Sequence, residues 1–345
     1  MRILVTGAAG LIGGELCARL TASGHQVAGL VRSNPDVLAN DGTRAEIEEV
    51  LHGDLSQEGM GLEAGVLDRL SGDLDLVLHC AALTRFDLEE EAYRATNVDG
   101  TARALELARR AGANFLHIST AYVCGGRSGD ILESDALPSG GFTNVYEASK
   151  AEAEALVRAS GVPFAIARPS IVVGDSRTGA IRQFDTIYAA FKLIAEGRVR
   201  HMPVRDGATL DFVPLDHVAR GIVALTENFE QASGGAYHLV SGGPVPVSDF
   251  AAAIGSFAEF DAPALVAAEG FDPSTLPAME RRLFRRVAGL YANYFQRDPQ
   301  FDDTQLRAAT GLVPPAMDQA LLRKLIQYCL DVGFLKAREP QRISG

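Results

Sequence analysis

One glycine-rich segment constrains the fold of this chain more than any other feature of its sequence. It follows an apolar run, Ile3-Leu4-Val5, and precedes a helical pattern marked by Leu16 and Leu20. Glycines let a backbone turn tightly and approach phosphates, and the first turn of a helix offers unpaired N–H groups to negative charge. The segment predicts a βαβ unit that binds the pyrophosphate of a dinucleotide, rather than an ordinary strand-to-helix turn. The predicted contacts are Gly7, Ala9, Gly10, Leu11, Ile12 and Gly13.

Apolar strands alternate with helical patterns through the first half of the 345-residue chain. This alternation predicts an α/β fold with a doubly wound parallel sheet (a Rossmann fold) whose two faces are covered by helices. The strands are expected near 3–6, 26–31, 50–53, 75–80, 114–119 and 163–168, and the helices near 11–23, 62–70, 91–111 and 144–160.

The pattern changes after Arg168-Pro169, where the loops become rich in glycine and proline. We expect a dinucleotide-binding domain over 1–168 and a smaller, interleaved C-terminal substrate-binding cap over 169–345, with a segment near 212–242 returning to the sheet. The elements expected in this half are helices near 181–196 and 216–229 and a strand near 236–240.

Composition and charge disfavour several classes of protein. The net charge of −12 argues against a nucleic-acid binder, which needs clustered basic residues to neutralise phosphates. No apolar run approaches the roughly eighteen residues that a membrane helix needs, and the first residues do not resemble a signal peptide. The four cysteines form no C-x-x-C pair, which predicts reduced core thiols rather than a zinc site or disulfides. We therefore expect a cytoplasmic protein without a metal.

Tyr146 and Lys150 are four residues apart on a segment with strong helical character, so both side chains point to the same face. A lysine ammonium near a phenol favours the phenolate, which would lower the tyrosine pKa toward neutrality and suit proton exchange with a substrate oxygen. A solvated helix face is the alternative interpretation. Ser119 and Thr120, at the end of the fifth predicted strand, would place a second hydroxyl beside the same oxygen.

The choice of cofactor depends on the end of the second predicted strand. Arg32 stands there, and no acidic residue precedes Asp36. An acidic side chain would bind the ribose 2′-hydroxyl of NAD, whereas an arginine suits the 2′-phosphate of NADP. The sequence therefore favours NADPH over NADH, unless Arg32 is simply a solvated surface charge.

The order of these motifs resembles the extended short-chain dehydrogenase/reductase family over nearly the whole chain. The resemblance rests on the glycine loop, Gly53-Asp54-Leu55, His79-Cys80-Ala81-Ala82, Asn97-Val98-Asp99-Gly100-Thr101, Ser119 to Gly125, Tyr146 to Lys150 and Arg168-Pro169-Ser170. At 79–82 many relatives have glycine, which is a mild departure.

This resemblance implies roles for individual residues. It makes Thr120, rather than Ser119, the catalytic hydroxyl beside Tyr146 and Lys150, and Lys150 would also hold the nicotinamide ribose. Asn97 would brace the central helix. Further cofactor contacts implied by the family pattern are Asp54 and Leu55 at the adenine, and Ala81, Ala82, Pro169, Ser170 and Ile171 along the cofactor.

Two segments, 168–179 and 117–125, are similar to the thioester reductase and fatty-acyl-CoA reductase branch of this family. Membership would imply reduction of an acyl thioester, carried by coenzyme A or by a carrier protein, to an aldehyde or an alcohol. Three alternatives stay open: a ketone or 3-keto-lipid reductase, a nucleotide-sugar reductase or epimerase, and a non-catalytic cofactor-binding subunit.

Three further features carry weaker hypotheses. One apolar set at helical spacing could wall an acyl tunnel, although core packing explains most of it. One arginine set could meet phosphates of coenzyme A or an acidic carrier, although solvated arginines are the simpler interpretation. A homodimer is also possible. The apolar set is Ile181, Phe184, Ile187, Tyr188, Phe191, Leu193 and Ile194, and the arginines are Arg281, Arg282, Arg285 and Arg286.

Overall fold

A computed structural model describes residues 1–85, 88–184, 187–285 and 291–336. The strands are β1 (Arg2–Thr6), β2 (Gln26–Val31), β3 (Glu49–His52), β4 (Leu76–His79), β5 (Asn114–Ile118), β6 (Gly129–Ile131), β7 (Phe164–Pro169), β8 (Ile171–Val173), β9 (His201–Val204), β10 (Thr209–Leu210), β11 (Phe212–Pro214), β12 (Ala236–Leu239), β13 (Val245–Pro246), β14 (Ala264–Ala267) and β15 (Pro299–Phe301).

The α-helices are α1 (Leu11–Ala22), α2 (Ala64–Ser71), α3 (Glu90–Tyr93), α4 (Asp99–Ala111), α5 (Val145–Ala159), α6 (Ile187–Ala195), α7 (Leu215–Glu227), α8 (Phe229–Ala232), α9 (Val247–Gly255), α10 (Ala278–Leu283), α11 (Thr304–Thr310) and α12 (Gln319–Asp331). A π-helix spans Arg94–Val98, and 3-10 turns span Glu58–Gly61, Ala121–Cys124, Pro273–Thr275 and Ala292–Gln296.

Seven parallel strands form the central sheet in the order β12-β7-β5-β4-β1-β2-β3. The order reverses between β1 and β4, because the chain first builds outward from β1 to β3 and then crosses back to β4. Successive residues of a strand face opposite sides, so each central strand feeds two cores. The predicted doubly wound parallel sheet is confirmed.

Helices pack on both faces of this sheet. On one face, Ile3 and Val5 of β1 pack in a core with Leu16 of α1 and Ile222 of α7. On the other face, Leu4 lies in a core to which α2, α4 and α5 contribute Leu70, Ala104 and Val157. The apolar, nearly uninterrupted sequence of β4 follows from this arrangement, because both of its faces are buried.

Two predicted helices differ from the observed ones. The helix expected over 91–111 is interrupted by the π-helix, in which Asn97 uses its side chain to hold the loop after β4. The helix expected near 181–196 begins at Ile187 in the structure, and residues 181–184 are not helical. The side chain of Asn40 explains this, because its Oδ1 accepts the Arg182 N–H at 2.9 Å and its Nδ2 donates to Ala180 O at 2.9 Å.

The second half of the chain contributes to the central sheet and also builds a separate core. Strand β12 pairs with β7 at the edge of the sheet, and α7 packs on α1. Most of the remaining elements surround an aromatic-rich core that includes Tyr188, Phe250 and Tyr294. The division of the chain at residue 168 into two functional domains stays a prediction.

A buried ion pair joins α5 to the sheet. Arg168 of β7 donates from Nε to Glu154 Oε1 at 2.9 Å and from Nη2 to Oε2 at 2.7 Å, and both side chains are buried. The pair holds the helix that carries Tyr146 and Lys150 against the strand that precedes Ser170.

Replacing Glu154 by glutamine should therefore destabilise the fold. The Glu154→Gln variant leaves the Arg168 guanidinium buried without a countercharge, and we expect the free energy of unfolding in urea to fall by about 3 kcal/mol. Glu152→Gln is the matched control, because Glu152 lies on the same helix in an exposed pair with Arg94 and should cost less than about 1 kcal/mol. Equal losses in both variants would contradict this account.

Candidate active site

A cavity of about 460 Å³ opens at the carboxyl edge of the sheet. It lies across the point between β1 and β4 where the strand order reverses, which is where open α/β sheets bind their ligands. Every catalytic and cofactor-binding residue predicted from the sequence lines this one cavity, although these residues come from segments throughout the first half of the chain. They are Gly7, Ala9, Gly10, Leu11, Ile12, Gly13, Arg32, Asp54, Leu55, Ala81, Ala82, Thr120, Tyr146, Lys150, Pro169, Ser170 and Ile171.

Gly7 and Gly13 of the glycine loop have no room for a side chain. Gly7 has a φ of +70°, and a Cβ atom there would lie 2.7 Å from the Cα atom of Ala81. A Cβ atom on Gly13 would overlap the carbonyl oxygen of Gly7. Helix α1 starts from Gly10 without a side-chain cap or an acidic residue in its first turn. Its first N–H groups therefore face the cavity edge without internal acceptors, an arrangement that fits a pyrophosphate.

The end of the cavity beyond β2 and β3 carries a positive and a negative side chain. Asp54 follows β3 and accepts hydrogen bonds from Ser56 N at 2.9 Å and Ser56 Oγ at 2.7 Å, which lower its pKa, with a smaller contribution from Arg32. Arg32 is exposed at the end of β2, beside Ser33 and Asn34.

Thr120 and Ser119 both line the cavity directly after β5. Thr120 is extended, and its hydroxyl accepts a hydrogen bond from Tyr122 N at 3.3 Å. The Ser119 hydroxyl has no hydrogen-bond partner within the described ranges. The choice of Thr120 over Ser119 as the reactive hydroxyl stays a prediction.

Helix α5 presents Tyr146 and Lys150 to the cavity from its first two turns. Asn144 caps this helix by accepting the Glu147 N–H at 2.8 Å, which sets where the helix starts. Lys150 is buried and donates to Ile118 O at 2.6 Å, and burial lowers its pKa to about 8. It is one of only four lysines in the chain, with Lys192, Lys324 and Lys336.

The prediction that Lys150 lowers the pKa of Tyr146 is wrong for this structure. Burial, and secondarily Glu147, raise the pKa of Tyr146, whereas the sequence predicted a lowered value. The reason is physical: the phenol loses water in the cavity wall, while the Lys150 ammonium is held by Ile118 O. Tyr146 is thus a protonated acid at neutral pH, which suits donation of a proton.

Asn97 braces α5 as the family pattern implies. Its Oδ1 accepts the Leu83 N–H at 2.8 Å, and its Nδ2 lies 3.1 Å from Leu83 O and 3.0 Å from Ser149 Oγ. This buried amide connects the loop after β4 to the turn of helix between Tyr146 and Lys150. It fixes the position of both side chains relative to the sheet.

A second buried network supports the cavity wall and was missed by sequence reasoning. Glu147 accepts from Arg297 Nη2 at 2.7 Å and from the Tyr294 hydroxyl at 3.3 Å. The Arg297 guanidinium lies 4.7 Å from the ring centroids of both Tyr122 and Tyr294, and these two rings meet edge to face with their centroids 4.8 Å apart. Glu147 lies about 150 positions before its partners in the sequence, so no local sequence pattern predicted this contact.

Aromatic side chains dominate the part of the cavity beyond Tyr146. Five of the eight tyrosines of the chain line it, and their clustering gives an apolar wall with polar hydroxyl groups. Of the proposed acyl-tunnel residues, Ile181, Ile187 and Tyr188 line the cavity, whereas Phe191 and Ile194 lie in the core. The cavity tyrosines are Tyr122, Tyr146, Tyr188, Tyr291 and Tyr294.

The remaining sequence hypotheses have these structural outcomes. Cys80 is half-buried and lines the cavity, and the chain's four cysteines are free thiols.

Arg281 donates to Ser274 O on the surface, and Arg286 lies outside the described residues. Among the described residues, no cluster of His, Cys, Asp and Glu has a metal-binding arrangement, and no helix has the length and apolar character of a membrane span.

The fold and the cavity define an NAD(P)-dependent oxidoreductase of the extended short-chain dehydrogenase/reductase type. The chain belongs to the Male sterility protein family (NAD_binding_4), whose model matches residues 5–222. It is therefore an NAD(P)H-dependent enzyme of this family with a nicotinamide cofactor.

Curated relatives include reductases and parts of peptide synthetases. The chain is 25% identical to Aldehyde reductase lnaA of Aspergillus flavus, aligned over the whole chain, and 26% identical to a linear gramicidin synthase chain of Brevibacillus parabrevis over 84% of it. It spans 37% of the first protein and 6% of the second. A quinoline-oxide ketoreductase of Stigmatella aurantiaca is 31% identical over 72% of this chain and 71% of its own length.

Solved structures share the fold across nearly the whole chain. The terminal R domain from the myxalamid PKS-NRPS pathway superposes with a TM-score of 0.85 at 28% identity, covering 98% of this chain and 92% of that one. A thiolation-reductase di-domain from an archaeal non-ribosomal peptide synthetase has a TM-score of 0.74 at 18% identity and covers 97% and 76%. UDP-glucuronic acid 4-epimerase of Bacillus cereus, with NAD, has a TM-score of 0.71 at 21% identity and covers 96% and 99%. The last two likenesses concern the fold alone.

Because a Cβ atom at position 13 would overlap the Gly7 carbonyl oxygen, replacing Gly13 by alanine should disturb the loop. Gly13→Ala should displace the glycine loop, lower the stability by about 1–3 kcal/mol and weaken nicotinamide nucleotide binding by on the order of tenfold. Gly65→Ala is the control, because nothing lies within 4 Å of its added Cβ, and helical alanine should be neutral or slightly stabilising. Cofactor titration by fluorescence and thermal unfolding measure both effects. Unchanged binding in Gly13→Ala would show that the loop does not contact the cofactor.

Proposed function

We propose that this protein uses NADPH to reduce the carbonyl of an acyl thioester to an aldehyde or an alcohol. The observation that carries the proposal is the single cavity in which the glycine loop, Arg32 and the Tyr146–Lys150 pair meet beside Thr120. A reductase needs a cofactor site and a proton donor at the same carbonyl, and this cavity offers residues for both.

Each predicted site residue takes a role in this proposal. The glycine loop and the start of α1 bind the pyrophosphate, while Asp54 and Leu55 hold the adenine. Arg32 pairs with the 2′-phosphate. Ala81 and Ala82 lie along the cofactor, and Pro169, Ser170 and Ile171 contact its nicotinamide end. Ser170 is well placed for this, because its Oγ donates to the buried Asp211 Oδ1 at 2.5 Å and so has one orientation.

The chemistry depends on three side chains. A bound reduced nicotinamide supplies hydride to the carbonyl carbon. Thr120 and Tyr146 donate hydrogen bonds to the carbonyl oxygen and stabilise its developing negative charge. Tyr146 then gives up its proton, and the nearby Lys150 ammonium stabilises the phenolate that remains. The product of this step is a hemithioacetal, whose C–S bond breaks as the thiol leaves with the hydroxyl proton and the aldehyde remains. A second hydride from another reduced nicotinamide and a second proton would convert the aldehyde to an alcohol.

Support for a thioester substrate comes from the relatives. The myxalamid structure, which is 28% identical to this chain, is a terminal R domain from a PKS-NRPS biosynthetic pathway. By analogy the acyl group here is bound to a carrier protein or to coenzyme A. The quinoline-oxide ketoreductase, at 31% identity, favours ketone reduction as the second candidate function. A homodimer and a cytoplasmic location stay predictions.

NADPH oxidation with a small substrate panel distinguishes the two candidates. The panel contains a long-chain and a short-chain acyl-CoA, an acyl-pantetheine thioester, a β-keto acyl compound and a nucleotide-sugar ketone. We expect oxidation with the thioesters, formation of aldehyde or alcohol, and a loss of at least about 100-fold in Tyr146→Phe with cofactor binding retained. Turnover of the ketones alone would reject the thioester proposal and support the second candidate.

Arg32→Ala tests the cofactor proposal. Loss of a charge-assisted contact should weaken NADPH binding by about 10–100-fold, while NADH binding should change less than about twofold. Arg44→Ala is the control, because Arg44 is an exposed arginine paired with Asp36. Equal effects of Arg32→Ala on both cofactors would make Arg32 a surface charge without a role in selecting NADPH.

A further inference from the structure

We propose that His117 is a positioning residue for Lys150: its Nε2 atom accepts a hydrogen bond from the ammonium and keeps it charged and aimed at the cavity. The proposal deepens the role given to Lys150 above and rests on it. It assigns a function to a buried histidine that lies three residues before Thr120 and does not line the cavity itself.

The contact is direct. Lys150 Nζ lies 3.3 Å from His117 Nε2 and 2.6 Å from Ile118 O, and both side chains are almost fully buried. An ammonium has three donors and no acceptor, so Nε2 accepts and the imidazole proton is on Nδ1. Two of the three donors are thus committed to β5. The third is left for the cavity, where Tyr146 and a ribose hydroxyl are its candidate acceptors.

The imidazole is itself held in one place. His117 and His79 are register partners on neighbouring strands, and their rings stack with centroids 5.5 Å apart. His79 bonds through Nδ1 to Thr6 Oγ1 at 2.9 Å and through Nε2 to Thr101 Oγ1 at 3.0 Å. The ring of His117 therefore rests on a second imidazole that is anchored at both nitrogens.

The protonation states agree with this assignment. Burial, followed by repulsion from the Lys150 ammonium, lowers the pKa of His117 well below its usual range, so the imidazole stays neutral and able to accept. Burial lowers the pKa of His79 to about 3, with a smaller effect of Lys150. The Nδ1–H of His117 has no acceptor among the described residues. The contact between Nε2 and Lys150 is therefore the hydrogen bond that this ring makes within them.

Other charged or titratable groups also act on Lys150. Burial dominates its pKa, and Cys80, after β4, and Glu154, on the next turn of α5, act in the opposite direction. Glu154 is already engaged by Arg168, and Tyr146 is protonated near neutral pH. Among the described residues, the atoms that accept hydrogen bonds from the ammonium are His117 Nε2 and Ile118 O. Because only the histidine is a side chain, substitution can remove one acceptor and leave the other.

Two variants separate hydrogen bonding from packing. His117→Phe keeps an aromatic ring against His79 but removes the acceptor, whereas His117→Gln loses the ring and keeps an acceptor oxygen. A hydrogen bond to the charged form raises the pKa of a lysine, so its loss lowers that pKa. We expect His117→Phe to lower the Lys150 pKa by about one unit and His117→Gln to leave it nearly unchanged.

The Lys150 titration can be followed without substrate. The chain has four lysines, so NMR of protein labelled with ¹³C at lysine Cε gives few signals, and Lys150→Arg identifies the relevant one. The wild-type signal should titrate near 8. In His117→Phe, the apparent pKa of the alkaline limb of kcat on the best substrate should shift down by the same amount as the NMR midpoint. His217→Phe is the matched control, because this buried histidine has no hydrogen-bond partner within the described part of the chain.

The outcomes are distinguishable from those of the proposed function. A lowered Lys150 midpoint in His117→Phe, with His117→Gln and His217→Phe at the wild-type value, supports the proposal even if every thioester fails as a substrate. A wild-type midpoint in a folded His117→Phe, checked by thermal unfolding, overturns it. An equal shift in both His117 variants also overturns it, because the ring and not the acceptor would then be responsible.

Discussion

The carboxyl edge of the sheet depends on one close approach, between the backbone at Gly7 and the backbone at Ala81. A side chain at position 7 would overlap the loop after β4, so the two loops pack together only because the residue is glycine. The Thr6 hydroxyl joins the same strands, since it lies 3.2 Å from Ala81 N and 2.9 Å from His79 Nδ1. The active-site cavity opens beyond this contact. The position of the contact sets where the other cavity walls lie.

Buried polar groups then give the cavity walls a single geometry. Lys150 is held by β5, Asn97 joins the loop after β4 to α5, and Glu147 joins the start of α5 to Arg297. A buried charge or amide without hydrogen-bond partners is costly, so each of these side chains has few alternative positions. The catalytic helix is thereby fixed at several points before a cofactor or substrate enters.

The environments of Tyr146 and Lys150 suit opposite tasks. Burial raises the pKa of the phenol, which keeps the tyrosine protonated at neutral pH, and lowers the pKa of the amine to about 8. The sequence analysis predicted the pair but not this balance. Spacing along a helix places two groups on one face, whereas desolvation depends on everything packed around them.

The sequence by itself determined the sheet, the glycine loop and the residues at the strand ends. These features follow from local rules. The spacing of apolar residues indicates which face of an element is buried, and glycine indicates a backbone conformation that other residues rarely adopt. The chain elements around 181–184 and 94–98 were less predictable, since the side chains of Asn40 and Asn97 reach across the fold to alter them. Only the tertiary structure decided the aromatic wall, the Arg297 contact and the position of His117 behind Lys150. Each of these joins segments far apart in the chain, and no short-range pattern records which distant side chains will share a buried, low-dielectric site.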